Sequence, residues 1–373
     1  MVRTWVVVGL TGMFCLAGAP NSFALDIDAV NGAEFTNTQP KTKAIESSGK
    51  KGKSADRTAK NIDPVSLKAQ VLLDRARFSP GQIDGRDGDN FHKAIAAFQT
   101  AQGLQPDGQL SDETWTKLTS MSSEPSLVEY KIGDDDVKGP FTKKIPAKME
   151  AMQGLDRLGY RNLLEALGEK FHMSEDLLKA LNPGKSLDQA GQTVVVANVR
   201  REAPTAKAGR IQVDKSRKTL SVFGKDGQLM AVYPASIGSA DKPAPSGTLK
   251  VTNIARNPTY KYNPKYAFKE IKTNKPFTIN PGPNNPVGLV WINLTGEGYG
   301  IHGTPEPSRV SKTASHGCIR LTNCDAMDLV DMLEKGASVA FLDQSDAASA
   351  MASAKPEETG SSARPRCGKK RKW

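Results

Sequence analysis

The chain has 373 residues, 38% hydrophobic and 24% charged, with a formal net charge of +11. That length exceeds one ordinary domain, and that apolar share excludes a wholly disordered chain. The charge does not mark a nucleic-acid surface. Residues 41–60 hold seven Lys/Arg against two Asp/Glu, and residues 355–373 hold the same, so ten of the eleven excess charges lie in two stretches poor in large apolar residues. Such stretches read as solvated linker and tail.

Arg3 precedes an apolar run of 13 residues, Trp5 to Ala17, and small residues follow, with Ser22 and Ala24 at −3 and −1 of a cleavage pattern. This is too short for a membrane span and reads as an export signal over residues 1–24, with an uncleaved anchor as the other reading. Nothing later in the sequence is apolar enough to cross a bilayer. Residues 25–61 read as a disordered linker.

From Ile62 the spacing is helical. Val65, Leu67, Ala69, Val71, Leu72 and Leu73 precede a Ser79-Pro80-Gly81 turn, and Phe91, Ala94, Ile95, Ala97 and Phe98 recur at helical intervals. Ser111 opens a third helix carrying Trp115 and Leu118. A small three-helix module over residues 62–120 is expected. Its runs Gly81-Gln82-Ile83-Asp84-Gly85, Phe98-Gln99 and Gly103-Leu104-Gln105-Pro106-Asp107-Gly108 resemble the peptidoglycan-binding domain 1 family. The resemblance implies that the module holds wall glycopeptide. The Asp-Gly pairs themselves need no ligand, since both residues favour tight turns.

Residues 126–200 are expected to hold two short helices, Asn162 to Lys170 and Ser174 to Leu181, then a strand from Thr193 to Val196. Leu177-Leu178, Leu181-Asn182-Pro183-Gly184 and Ala190-Gly191-Gln192 resemble the second half of a LysM wall-binding module. A polar insertion, Gly133 to Lys148, departs from that pattern. A glycan-binding module and a spacer packed on the next domain both stay open. Arg201 to Gly209 reads as a linker.

Over residues 209–343 the texture turns to β. Ile211-Gln212-Val213 alternates, and Lys225-Asp226-Gly227-Gln228 is a hairpin turn. Strands are expected at Leu229–Ile237, Thr248–Ile254, Val287–Leu294, Tyr299–His302 and Ser338–Leu342, with a helix over Asp325–Glu334. The fold class is multidomain α+β: a three-helix module, a short α/β segment, and a mostly β sandwich or barrel-like domain. Residues 344–373 read as a disordered basic tail, able to meet anionic wall or membrane surfaces.

The chemistry-bearing residues cluster in Ile301-His302-Gly303-Thr304 and Ser315-His316-Gly317-Cys318-Ile319-Arg320-Leu321-Thr322-Asn323. A cysteine attacks as thiolate, and a nearby histidine can take its proton and return it to a leaving amine. Gly317 and Gly303 permit close backbone approach. Backbone N–H groups at Gly317 and Cys318 could form an oxyanion hole, and the Arg320 fork suits a carboxylate. Other readings stay open here. Cys318 could be a buried small hydrophobe, a disulfide partner of Cys324, or a zinc ligand beside His302 and His316. His92 and His172 read as surface or packing residues.

With Gly282-Pro283-Asn284-Asn285-Pro286-Val287-Gly288, Pro245-Ser246-Gly247-Thr248 and Tyr299-Gly300 added, these segments resemble the L,D-transpeptidase (YkuD) catalytic domain. The resemblance implies Cys318 as nucleophile and His302 as proton acceptor and donor. His316 and Ser315 would shape the site with Gly317, and Arg320, Asn323 and Gly303 would position substrate or loop. It implies peptidoglycan stem peptides and glycan as partners, a periplasmic or cell-wall location, and no cofactor, metal or nucleic acid. Acyl transfer to an amine, hydrolysis of the same stems, and a non-enzymatic wall scaffold are the functions to be separated.

Overall fold

The computed structural model describes residues 25–37, 62–204, 206–239, 242–266, 271, 273–315 and 317–342. The signal segment 1–24, the basic stretch 41–60 and the tail 344–373 lie outside the described residues, as do Cys15, Cys367 and His316.

Three helices form the first module: α2 (Pro64–Arg75), α3 (Asp89–Ala101) and α4 (Asp112–Ser120). Asp63 caps α2 by accepting from the Ser66 amide at 2.7 Å, with Pro64 at the first position, a place where its missing N–H costs nothing. Ser111 caps α4. Two buried glutamines explain both Asp-Gly turns. The Gln70 carbonyl accepts from the Asp84 and Gly85 amides, and its NH2 donates to Asp84 Oδ1. The Gln99 carbonyl accepts from the Gly108 amide, and its NH2 donates to Asp107 Oδ1. Each turn is therefore held by a side chain of the preceding helix, as burial of a polar group requires.

Residues 25–37 correct the linker expectation. They form α1 (Ile27–Asn31), whose Val30 is buried in the core of the middle segment. Asn31 exchanges hydrogen bonds with the Leu127 backbone, and Glu34 accepts from Trp115 Nε1 at 3.0 Å. A five-residue helix offers too little periodicity to be read from sequence.

The middle segment runs β1 (Leu127–Lys131), α5 (Asp134–Lys138), α6 (Met149–Met152), α7 (Leu163–Lys170), α8 (Glu175–Leu181) and β2 (Thr193–Ala197). β1, absent from the sequence expectation, pairs antiparallel with β2 from Leu127↔Ala197 to Lys131↔Thr193. Its core includes Leu163, Leu167, Leu177, Leu178, Val194 and Val196. Asn182 is buried because it bonds both N–H and C=O of Val195. The polar insertion does not hang free. Its Ile145, with Met149, Met152 and Leu155 just after it, packs with buried Leu158 on Tyr262, Phe277 and Ile279, and Leu158 exchanges backbone hydrogen bonds with Pro281 and Asn284.

The C-terminal domain comprises β3 (Ala208–Asp214), β4 (Thr219–Gly224), β5 (Leu229–Pro234), β6 (Ser236–Ile237), β7 (Gly247–Arg256), β8 (Tyr260–Tyr262), β9 (Phe277–Ile279), β10 (Val290–Leu294), β11 (Gly300–His302), β12 (Ile319–Arg320), α9 (Asn323–Met332) and β13 (Ser338–Leu342). Nine strands follow the order β5-β4-β3-β13-β7-β10-β11-β12-β6. β5 and β6 stand at opposite ends of that order, yet one residue, Ala235, separates them. The sheet therefore curls on itself into a nearly closed barrel. Its core holds Ile211, Val222, Ile292, Ile301, Ile319 and, from α9, Ala326 and Leu329. Each fully buried aliphatic side chain of this kind contributes about 1.5–3 kcal/mol. The expected strand at 287–294 is confined to 290–294, since Val287 lies in a turn stapled by Asn285 Oδ1.

Residues 77–79 lie along the β5 edge: Ser79 N–H donates to Val232 O and Val232 N–H to Arg77 O, both at 2.9 Å. That covers an edge otherwise open to pairing. Behind it lies a buried charge network. Arg201, in the expected linker, reaches Asp74 at 2.6 Å and Asp328 at 2.7 Å. His172, expected as a surface or packing residue, is fully enclosed and bonds Asp74 Oδ1 at 2.8 Å, with Asp325 Oδ1 3.9 Å from its other nitrogen. α2, the middle segment, the 201 segment and α9 thus meet at one cluster. Arg201 corrects the linker expectation and His172 takes the packing reading for one cause: buried charges persist only when paired, and the partners here are distant in sequence. No helix among the described residues is long and apolar enough to cross a membrane.

Candidate active site

β10, β11, β12 and β6 place the signature residues. Ile301 pairs with Ile319 and His302 with Arg320 across parallel β11 and β12. Trp291 pairs with His302 across β10 and β11, and Ser236 with Arg320 across β6 and β12. Side chains alternate along a strand. Ile292, Ile301 and Ile319 therefore point into the apolar core, while Trp291, His302 and Arg320 share the opposite face, and Cys318 lies in the bend that leads into β12. Cys318 stands two residues before Arg320, one diagonal step from His302. Such a diagonal is about 7–8 Å between backbones, a span that long or aromatic side chains bridge.

His302 is 6% exposed. The Trp291 ring stacks on it, with centroids 5.6 Å apart and planes 24° apart. His302 Nδ1 lies 2.6 Å from the Gly303 carbonyl. A carbonyl only accepts, so Nδ1 carries the hydrogen and Nε2 keeps its lone pair. Burial first, then the Arg320 cation, pull the imidazole down to about 3 against that hydrogen bond. The histidine is neutral across the physiological range.

Cys318 is partly exposed and free, as is Cys324, which removes the disulfide reading for this pair. The Cys318 thiol donates to the Gly298 carbonyl at 3.6 Å. Burial pushes it up, while a Gly300 backbone hydrogen bond and Arg320 oppose. At rest the site holds a thiol and a neutral imidazole with no direct hydrogen bond between them. Ser315, 2% exposed, donates its hydroxyl to the Cys318 carbonyl. Gly317 has φ +97°, open to glycine and strained for other residues. The Nε of Arg320 is buried with no hydrogen-bond partner among the described residues.

Gly303 and Asn323 meet directly. A Cβ on Gly303 would fall 2.2 Å from Asn323 Oδ1. Asn323, 1% exposed, accepts from the Leu289 amide at 3.0 Å and donates to Glu169 and to the Pro283 carbonyl. It therefore pins the 283–289 loop beside His302 and does not reach into the open face. Sequence reasoning missed Trp291, although its alternation with Ile292 carried the signal. It also missed Tyr260 on β8, whose hydroxyl is pushed up by burial and then by Cys318, and Glu169, for which no local signal exists.

Asp74, His172 and Asp325 bring ligand atoms within 4.8 Å of one another, where Arg201 already supplies positive charge.

Residues 208–340 match the L,D-transpeptidase catalytic domain model, and residues 66–118 match the model described as "Putative peptidoglycan binding domain". Relatives include "Putative L,D-transpeptidase YkuD" of Bacillus licheniformis, 28% identical over 180 residues, which are 48% of this chain and 92% of that protein. "Putative L,D-transpeptidase YqjB" of Bacillus subtilis is 32% identical over 136 residues, 35% of this chain and 69% of the relative. Among solved structures, L,D-transpeptidase 3 from Mycobacterium tuberculosis aligns with a TM-score of 0.31 at 18% identity, over 41% of this chain and 76% of that one.

Proposed function

Because this chain belongs to the L,D-transpeptidase family, we propose that it transfers acyl groups between peptidoglycan stem peptides through a thioester on Cys318. The observation that carries this reading is the tautomer of His302. With Nδ1–H spent on the Gly303 carbonyl, Nε2 is the basic atom, on the strand beside the one that Cys318 leads into.

Nε2 takes the Cys318 proton as sulfur attacks the carbonyl that follows the third residue of a tetrapeptide stem. Because the thiol is pushed up and the imidazole down, proton transfer accompanies attack and no thiolate–imidazolium pair rests in the free enzyme. Backbone N–H groups at Gly317 and Cys318 stabilise the oxyanion. The imidazolium returns the proton to the departing amine of terminal D-alanine. An amine of a second stem then attacks the thioester, His302 accepts its proton, and a new amide and the free thiol result. Arg320 offers its unpartnered guanidinium N–H to a substrate carboxylate or carbonyl. Ser315 holds the loop around the nucleophile through the Cys318 carbonyl.

The 62–120 module keeps the enzyme on wall polymer, the middle segment braces the catalytic domain through Glu169 and Glu165, and the basic tail adds attraction to anionic surfaces. Export to the periplasm or wall follows from the substrate. Intact-mass analysis tests the chemistry. Wild type should form a covalent adduct with a carbapenem and Cys318→Ala none; an adduct retained in Cys318→Ala defeats the reading. Cross-linked products from tetrapeptide stems support transpeptidation, whereas shortened stems alone favour a carboxypeptidase. Sacculus binding without either product favours the scaffold.

A further inference from the structure

We propose that Glu169, on α7 of the middle segment, is a positioning residue for the reaction at Cys318, acting through Asn323 on the backbone that orients His302. The inference rests on the functional reading above and extends the working site beyond the matched catalytic domain.

The chain of contacts is short. Both Glu169 carboxylate oxygens lie 3.0–3.1 Å from Asn323 Nδ2. The same nitrogen donates to the Pro283 carbonyl at 3.2 Å. Three acceptors around Nδ2 fix the amide orientation, so Oδ1 must face the other way. It accepts from the Leu289 amide at 3.0 Å and lies against Gly303. The Gly303 carbonyl is what fixes the His302 tautomer. Releasing Asn323 frees the loop and Gly303 together.

α7 makes this grip twice. Glu165, four residues earlier and so on the same helix face, accepts from Asn284 Nδ2 at 3.2 Å. Two carboxylates one turn apart thus hold two asparagines of the catalytic domain. Only Glu169 leads on to the histidine.

Burying a carboxylate for packing alone is unfavourable, and this one shows the cost. Burial pushes Glu169 up to about 7, partly opposed by the Asn323 hydrogen bonds. The titratable groups facing it are Tyr160 before α7, Glu165 on α7, His172 after it and Cys324 on α9. The Tyr160 hydroxyl donates at 3.4 Å, and the Cys324 thiol donates to the Glu169 backbone carbonyl at 2.9 Å. The ionised form is the better acceptor for Asn323, so the grip tightens as Glu169 loses its proton.

The test uses the full chain with Glu169→Gln, Asn323→Ala and the double variant. Two rates are read against pH: D-alanine release from a tetrapeptide stem, and iodoacetamide alkylation of Cys318 followed by peptide mapping. Glu169→Gln should lower kcat about tenfold with KM unchanged, remove a rise in kcat near pH 7, and slow Cys318 alkylation several-fold. The double variant should be no worse than Asn323→Ala. Thermal midpoints identify a variant that merely fails to fold, and Glu169→Gln should melt no lower than wild type at pH 8. Wild-type turnover with an unchanged Glu169→Gln kcat profile, or additive losses in the double variant, overturns the inference alone. Wild type that releases no D-alanine overturns the functional reading, and equal Cys318 alkylation in Glu169→Gln then still overturns this one.

Discussion

His302 and Arg320 stand opposite each other on parallel neighbouring strands, so the proton acceptor shares its sheet face with a permanent cation. Burial lowers the imidazole most, and Arg320 lowers it further, to about 3. A base with that value is unprotonated at every pH where the protein works. An acid limb of kcat/KM near the usual histidine value of about 6.5 therefore cannot come from His302. NMR of ring-labelled protein should show His302 unchanged between pH 8 and pH 5. Arg320→Met should move its titration upward, because one of the two depressing causes is gone. Titration of His302 near 6.5 in wild type would contradict the arrangement. Replacing His302 with Ala should cost about 10²–10⁴-fold in turnover, the range for loss of a positioned general base.

Gly303 tolerates no side chain. A methyl group there would meet Asn323 Oδ1 at 2.2 Å and the Leu289 amide at 3.3 Å. The oxygen cannot swing away without surrendering its bond to Leu289 while Nδ2 is held by Glu169 and Pro283. Gly303→Ala should destabilise by about 1–3 kcal/mol, as overpacking does, and should also depress turnover, since the displaced carbonyl orients His302. A thermal midpoint and kcat both equal to wild type would show that Asn323 is not fixed as described.

These contacts also mark what could be read from the chain. His302, Cys318 and Arg320 stand within a short stretch dense in His, Cys and Gly, so the cluster was legible, whereas the face His302 shares with Arg320 was not, because β12 is only two residues long. The Asp-Gly turns and the caps at Ser111 and Ser174 were legible because each is a local hydrogen-bonding rule. Glu169 lies 154 residues from Asn323, and His172 98 residues from Asp74. No spacing rule links such positions. Arg201 stood among Pro and Ala and read as linker, because a buried ion pair leaves no trace until the fold supplies its partners. α1 failed differently, through being shorter than one period of evidence.

Asp74 joins the modules through charge. It is completely buried, and burial by itself raises a carboxyl. Arg201 and His172 overcome that and hold Asp74 at about 2. A depressed carboxylate contributes stability above its unfolded value of 3.8, and that contribution fades as pH falls through about 2. His172 behaves oppositely: burial lowers it, Asp74 and then Asp325 raise it, and the net shift is upward. Its contribution is complete below 6.5 and fades as pH rises through the raised value. Asp74→Ala leaves Arg201 with Asp328 alone and His172 with Asp325 alone, and breaking a buried charge network of this kind costs about 3–5 kcal/mol. Denaturant unfolding at pH 6 should show that loss; a change under about 1 kcal/mol would mean the cluster is not electrostatically coupled.

Glu169 should trade stability for its position. Its carboxyl is raised from 4.5 to about 7, so the folded protein binds that proton more tightly than the unfolded chain. The sign follows from linkage: the favourable contribution is complete below pH 4.5 and disappears as pH rises through about 7. At pH 8 the native state carries a half-buried anion whose net cost, at about 1.4 kcal/mol per pKa unit, is on the order of 3 kcal/mol. Gln has nearly the same shape and no charge to bury. Glu169→Gln should therefore equal wild type in stability near pH 4.5 and exceed it at pH 8, by an amount reduced by the weaker bond to Asn323. Thermal melts at the two pH values decide the point. A variant less stable than wild type at pH 8 would mean that the Asn323 bonds outweigh desolvation, and that Glu169 is kept for stability and not for the histidine it helps to hold.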